Sequence, residues 1–413
     1  MRPYVAIACS LFTLTLCSVA EQPKSSSSPA PKANSLVQVA QLLPTDATGF
    51  ADFGISVAVS SDGNTIAVGA FSNNNGQGAI YVFVKPAGGW QNMTQTAELT
   101  VSGFPAAGLG YPVAMSPDGN TIVGNGVETT SPDNGAQVFV FVKPAGGWTS
   151  MTQTAALYAQ GGGNIGFGNE IATDGDNILV GATGCGGDGD FGPGATYLFV
   201  KPASGWTNSS ETGSLEESNG YGCDDYGSSV AISGDTAVVG RTGMGMVPPL
   251  TPGAFYVFNK PAGGWATATQ AAILTSSDAG LNELGGDVAL SGNTILGSTE
   301  FISNGRKTSR AYIFTEPSGG WVNMTQTATL TNSTPGVLLT PNVALNGATA
   351  AVSASSRNQS YVTLYYEPAG GWQNSSSPSV TLFSEPASAV ALTEGLVVTG
   401  STAQDAAYVY ESK

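Results

Sequence analysis

From Phe53 onward, short stretches of alternating apolar and small residues are separated by runs of Gly, Asn, Asp and Ser. Gly54 to Ser60 alternates in this way, and a period of two marks a half-buried strand. Ser61 to Asn64 reads Ser-Asp-Gly-Asn, and Asp-Gly between alternating runs signals a hairpin. Thr65 to Ala70 predicts a second strand, and Ser72 to Gly78 a polar loop. Ala79 to Val84, rich in β-branched and aromatic residues, predicts a third strand. Pro-Ala-Gly-Gly-Trp, ending at Trp90, turns the chain, and Thr94 to Val101 predicts a fourth strand.

This pattern repeats. KPAGGW stands at Lys85, Lys143 and Lys260, with near copies from Lys201, Glu316 and Glu367. Each of the six Trp ends one copy, at spacings of 58, 58, 59, 56 and 51 residues. Four antiparallel strands per period predict a propeller blade. The final unit runs from Ala389 through Gly400 to a last apolar stretch, and ends where the turn and fourth strand are expected. Gln38 to Leu42 (QVAQL) matches Gln95 to Leu99 (QTAEL), the fourth strand of the first unit. The N-terminal strand is therefore expected to complete the last blade, giving an all-β, seven-bladed β-propeller of four-stranded antiparallel blades. Closure removes two exposed edges, whereas an open array leaves both half-blades unpaired. The hexapeptide reads as a turn, not as six copies of a ligand site, with its Trp expected over the outer edge of the blade sheet.

Composition fits this reading and narrows the chemistry. Among 413 residues, 56 are Gly and only 10% are charged, which suits short strands joined by turns. The net charge of −16, from 13 basic and 29 acidic residues, lacks a nucleic-acid-binding footprint. There is no His, which removes Ser-His-Asp and Cys-His catalysis and every His-ligated metal site. Catalysis would have to rest on carboxylates, Tyr or Lys.

Arg2, the apolar run Val5 to Leu16 and Ser-Val-Ala at 18–20 read as a secretory signal over 1–20. Cys17 offers a second reading, as the lipid-modified Cys of a lipoprotein. A Ser/Pro-rich linker follows over 21–35, then the propeller over 36–413, with no segment long and apolar enough to span a bilayer. The expected location is secreted or at the cell surface. Cys9 and Cys17 fall in the leader, leaving Cys185 and Cys223 as an expected disulfide pair.

Phe-Gly at Phe53-Gly54 and Phe167-Gly168, Tyr226-Gly227, Leu109-Gly110 and Leu284-Gly285 recur in order with Ser-Val-Ala at 56–58 and 229–231 and Val-Gly-Ala at 68–70 and 180–182. In this the chain resembles the FG-GAP repeat family, the blades also found in the head of integrin α chains, and the secreted bacterial type in particular. The resemblance covers Phe53 to the C-terminus and implies a binding or adhesion propeller. Pro after Gly-Ala is replaced, by Phe71 and Thr183. Calcium-binding members carry an Asp-rich loop between the first two strands, but here that place holds short hairpins such as Ser-Asp-Gly-Asn. One or two carboxylates cannot supply six or more oxygens, so the calcium sites do not carry over and no cofactor is expected.

The richest candidate site joins units three and four. Thr183 to Gly194 contributes Asp188, Asp190 and Phe191; Glu216 to Gly227 contributes Tyr221, Asp224, Asp225 and Tyr226. A Cys185–Cys223 bond would hold these carboxylates and rings together, for a cation or a carbohydrate. The bland reading is a stapled, solvated loop pair. Arg306, Lys307 and Arg310, and an apolar loop with Met244, Met246 and Val247 to Leu250, are lesser candidates. Asn92, Asn208, Asn323, Asn332, Asn358 and Asn374 sit in N-x-Ser/Thr sequons. The leading function is a monomeric binding or adhesion module for an extracellular protein or glycan. The alternatives are a carboxylate-dependent enzyme acting on polysaccharide and a structural envelope protein.

Overall fold

The computed structural model describes residues 36–46, 51–103, 108–126, 136–160, 166–184, 194–220, 222, 224–243, 252–278, 284–303, 306–357, 359–384 and 387–412. They form seven sheets, one for each predicted blade. In blade 1 the four strands are Phe53–Val59, Thr65–Ala70, Ala79–Val84 and Ala97–Thr100, paired antiparallel in that order. Strand one of every blade touches strand one of the next around the ring, so strand one is innermost and lines a central channel. Blade 7 comprises Ala389–Thr393, Leu396–Ser401 and Ala406–Ser412, and its fourth strand is Leu36–Leu43 from the N-terminal end of the propeller. Ala40, Gln41 and Leu42 pair with Val409, Tyr408 and Ala407, while Ala97, Glu98 and Leu99 pair with Val82, Tyr81 and Ile80. The QVAQL–QTAEL correspondence is thus a correspondence of register.

The recurrent glycines mark where blades meet. A Cβ on Gly69 would lie 1.8 Å from the Gly110 carbonyl oxygen, an impossible contact. Gly110 itself sits at φ 117°, outside the range of most L-residues. The Gly of Val-Gly-Ala in one blade therefore presses on the Gly of Phe-Gly in the next. The pairs Gly181–Gly227, Gly240–Gly285 and Gly400–Gly54 repeat the contact at 2.1, 2.3 and 2.0 Å. The aromatic residue before that Gly fills the space between strands: Phe53 meets Tyr81 edge-on at 5.5 Å, Phe167 meets Tyr197 at 5.3 Å and Tyr226 meets Tyr256 at 5.4 Å. These rings and the β-branched residues around them are buried in clusters that span adjacent blades.

Three details differ from expectation. The predicted fourth strand is two pieces: Met93–Thr94 pairs parallel with Leu42–Leu43 of blade 7, and only Ala97–Thr100 belongs to blade 1. Met151–Thr152, Ser209–Ser210, Ala268–Thr269 and Met324–Thr325 cross to the preceding blade in the same way. The polar loop Ser72–Gly78 closes in a tight turn over Asn73–Gly76, with Asn74 and Asn75 at positive φ. The Trp does not cover an outer sheet edge. Trp90 is buried, and its indole N–H donates to the Gly63 carbonyl of the hairpin between strands one and two at 3.1 Å. Trp148 repeats this with Gly119 at 3.1 Å. The ring is broad and flat enough to close the bottom of the inter-blade core, and that burial outweighs what a solvent-side position offers.

Residues after each Trp act as latches. The Asn92 amide oxygen accepts the Gln41 N–H at 2.8 Å, and Gln95 accepts the Thr45 N–H at 3.0 Å, both across the seam with blade 7. Asn208, Asn323 and Asn374 do the same for Ala156, Ile273 and Thr329. Four of the six sequons are therefore inter-blade contacts. Asn332 caps the Thr334 N–H, and Asn358 lies outside the described residues.

Candidate functional site

The hairpins between strands one and two are self-contained. Asp62 accepts from the Ser60 hydroxyl at 2.6 Å, the Asn64 N–H at 3.0 Å and the Asn64 amide at 2.8 Å. Those bonds, the Ser60 one foremost, hold its carboxyl below the usual range. Asp118 is wired identically to Ser116 and Asn120. These acids shape the turn.

The expected site at units three and four divides. Asp188, Asp190, Phe191, Tyr221, Cys185 and Cys223 lie outside the described residues. The disulfide expectation is corrected: the structure contains no disulfide among its described residues, and the 3–4 seam is held by charge instead. Asp224 and Tyr226 face inward and are buried, at 4% and 1% exposure. Tyr226 is the blade's Phe-Gly aromatic, and its hydroxyl donates to the Leu215 carbonyl at 2.9 Å. Asp225, at φ 59°, accepts from the Thr242 hydroxyl at 3.0 Å. The guanidinium of Arg241 lies 3.1 Å from Glu217, 3.5 Å from Asp224 and 5.2 Å from the centre of the Tyr256 ring. Arg241 stands where other blades carry Ala70, Ala182, Ser298 or Ser401. Two buried carboxylates face one cation, and burial, with the Asp224 charge, pushes Glu217 up to about 7. Asp224 therefore serves a buried ion cluster, which sequence spacing did not reveal because its partners stand seven residues before and seventeen after it.

Nothing in the structure supports the expected signal, lipid anchor or secretion: 1–35, with Cys9 and Cys17, lie outside the described residues. Among the described residues no helix is long and apolar enough to cross a membrane. Of the lesser candidates, Arg310 pairs with Asp278, whereas 244–250 lie outside the described residues.

A different group converges at the channel. Strand one begins on the face that also carries the loops between strands two and three. The residue just before the aligned Val57, Val113, Ile171, Val230, Val288, Val343 and Val390 of strand one is Ser56, Pro112, Glu170, Ser229, Asp287, Asn342 and Ala389 in blades 1 to 7. Ser56 accepts the Val113 N–H of the next blade at 2.9 Å, and Asp287 accepts the Val343 N–H at 2.7 Å and its neighbour's, Val288, at 2.8 Å. Burial raises Asp287 to about 7 despite those bonds. Burial, then the charge of Asp287, raises Glu170 well above the carboxylate range. Tyr111, 49% exposed, is raised by burial of its hydroxyl and then by both acids. Blades 2, 3 and 5 are not all neighbours, so these groups sense one another across the channel mouth. Sequence reasoning missed them; their signal is a departure from small or neutral residues at one repeat position.

The profile of the FG-GAP repeat family matches residues 36–83 and 209–258. Both matches open at or just before a fourth strand and end in the third strand of the next blade, so the sequence unit is offset from the structural one. No curated protein sequence matches the chain. Among solved structures it is similar to hydrazine synthase of Kuenenia stuttgartiensis, at 14% identity and a TM-score of 0.54, over 89% of this chain and 97% of that one. It is similar also to the WD40 domain of coronin from Toxoplasma gondii, at 10% identity and a TM-score of 0.53, over 92% and 87% of the two chains. Such identities establish the fold alone. The chain is a seven-bladed β-propeller, closed by its N-terminal strand, in which two segments match the FG-GAP repeat.

Proposed function

We propose that this propeller is a binding or adhesion module whose ligand, a protein or a glycan, contacts the face where strand one begins. The observation that carries this reading is the contrast between a repeated scaffold and one non-repeated face. Glycine contacts, Trp and latch residues recur around the ring, while the channel mouth breaks the repeat with Tyr111, Glu170 and Asp287. A rigid scaffold with variation gathered on one face is how binding surfaces are built. Asp188, Asp190 and Phe191, in the chain between strands two and three of blade 3, and Tyr221, in the following connector, are the proposed ligand contacts outside the described residues; Asp224 and Tyr226 are buried, with Asp225 half-buried between them in the chain. The experiment is capture of glycans and proteins on the immobilised full chain, alongside Glu170→Gln and Asp188→Asn variants. Retention of a ligand by the parent chain and its loss in either variant supports the reading; ligands that bind both variants equally well overturn it.

The enzyme reading has one feature of its own: burial and the Asp287 charge raise Glu170 well above the carboxylate range, the direction a general acid on a polysaccharide needs. Release of reducing ends from a polysaccharide panel, abolished by Glu170→Gln, would favour it over simple binding.

A further inference from the structure

Three described aromatic rings are at least 40% exposed, Phe71, Tyr111 and Tyr158, and the first two flank the same seam between blades 1 and 2. Phe71 is 40% exposed and Tyr111 49%, whereas most other described Phe and Tyr are buried. Neither follows the repeat. Phe71 occupies the position held by Thr183, Thr242, Thr299 and Thr402 in blades 3, 4, 5 and 7. Tyr111 occupies the position of Ile55, Asn169, Ser228, Gly286, Pro341 and Ser388 in blades 1, 3, 4, 5, 6 and 7, and is the only aromatic ring among them. At positions where most blades carry small or polar residues, these rings leave 40% and 49% of their surface in water, more than packing of the seam requires.

The seam between blades 1 and 2 holds them together. Gly110, next to Tyr111, is packed so closely against Ala70, next to Phe71, that a Cβ on Gly110 would lie 2.8 Å from the Ala70 nitrogen. The Phe71 ring edge lies against Gly108, 2.7 Å from where a Cβ would stand. The turn after Phe71 is tied to the same segment, with Gly108 N–H donating to Gly76 at 2.9 Å and Leu109 N–H to Gln77 at 3.0 Å. Asn74 and Asn75, both exposed, are held at φ 52° and 60° in that turn. The charges that reach Tyr111 are the carboxylates Glu170 and Asp287. The surface thus offers flat apolar rings, amides and carboxyl groups able to exchange hydrogen bonds with hydroxyls, in a chain of net charge −16. That combination repels an anionic ligand and suits a neutral pyranose, whose C–H face stacks on a ring and whose hydroxyls donate outward.

We propose that Phe71 and Tyr111 form the floor of a binding site for a neutral oligosaccharide, with the Glu170 and Asp287 carboxyl groups exchanging hydrogen bonds with its hydroxyls at the channel end. This assignment rests on the binding reading above and names its ligand class.

The test is calorimetric titration of the full chain with maltohexaose, cellohexaose, laminarihexaose, mannohexaose, xylohexaose and chitohexaose. At least one of these is expected to bind. Phe71→Ala and Tyr111→Ala are each expected to raise its Kd by about tenfold or more. Tyr111→Phe, which keeps the stacking face, is expected to stay within about threefold of the parent. Both rings are half-exposed, so unchanged thermal midpoints should accompany the losses. The site is overturned if no sugar binds, or if a bound sugar is insensitive to both alanine variants. A protein or glycan ligand lost in Asp188→Asn but kept in Tyr111→Ala would overturn this site and leave the binding module standing.

Discussion

A methyl group on Gly69 has nowhere to go, because the Gly110 carbonyl of the next blade occupies its place at 1.8 Å. Gly69→Ala is therefore expected to destabilise the chain by about 1–3 kcal/mol or more, as overpacking does. Gly88, in the solvent-side turn before Trp90, has nothing within 4 Å of a built Cβ, and Gly88→Ala is expected to stay within about 0.5 kcal/mol. Urea midpoints of the two variants check the contrast. Glu217 gives a second residue-scale expectation. Its carboxyl is raised from 4.5 to about 7 in the folded chain. Between those values the folded state holds a proton that the unfolded state has released. The resulting stability is full below about 4.5 and is lost as pH rises through about 7, by on the order of 3 kcal/mol. Asp287, raised from 3.8 to about 7, acts with the same sign. Urea midpoints are thus expected to fall from pH 5 to pH 8, and Glu217→Gln is expected to flatten part of that slope.

At the scale of elements, the segment after each Trp is a strap rather than a simple lead into strand four. It pairs two residues with the preceding blade after the first five Trp and one, Ser375, after Trp372, and accepts that blade's outward N–H groups through Asn92, Asn208, Asn323 and Asn374. Asn323→Ala is expected to cost about 1 kcal/mol and to speed exchange of the Ile273 amide specifically. The Trp turns differ among themselves. Trp90 donates to Gly63, while the indole N–H of Trp321 has no acceptor among the described residues. Trp90→Phe is expected to lose about 0.5–1.5 kcal/mol more than Trp321→Phe, in paired denaturation curves. Strand-three tyrosines fasten the opposite end of the seams: Tyr81 donates to Asp46 at 2.7 Å, Tyr256 to Asn219 at 3.0 Å and Tyr365 to Thr331 at 2.9 Å.

For the whole molecule, closure is the decisive event. Leu36–Leu43 brings the two ends of the propeller into one sheet, Lys85 pairs with Glu411 at 2.9 Å across the seam, and Thr393 donates to Ser61 at 2.7 Å. Leu42 is fully buried in a core shared by blades 7 and 1. Leu42→Ala is expected to cost about 2–5 kcal/mol. Hydrogen exchange should then rise in blades 7 and 1 together while blade 4 stays protected; a uniform rise would mean that closure is not local to this seam.

The blade count, the strand positions in the first unit and the closing strand were legible in the chain, because strand alternation and turn chemistry are local and the repeat states them again and again. Even the register of QVAQL could be read, since it copies QTAEL. The roles of individual polar residues were not legible. Asp224 and Tyr226 read as a surface site beside an acidic loop, but the fold turns them inward onto Arg241 and Tyr256. The Asn sequons read as exposed turns, yet their amides close seams to strands about fifty residues away. Tyr111, Glu170 and Asp287 share no local motif, and only a closed ring brings blades 2, 3 and 5 to one mouth. Sequence alone determined what each blade is, because a blade is built from neighbours in the chain. Tertiary structure decided which residues face each other, because that depends on how the blades are packed and the ring is closed.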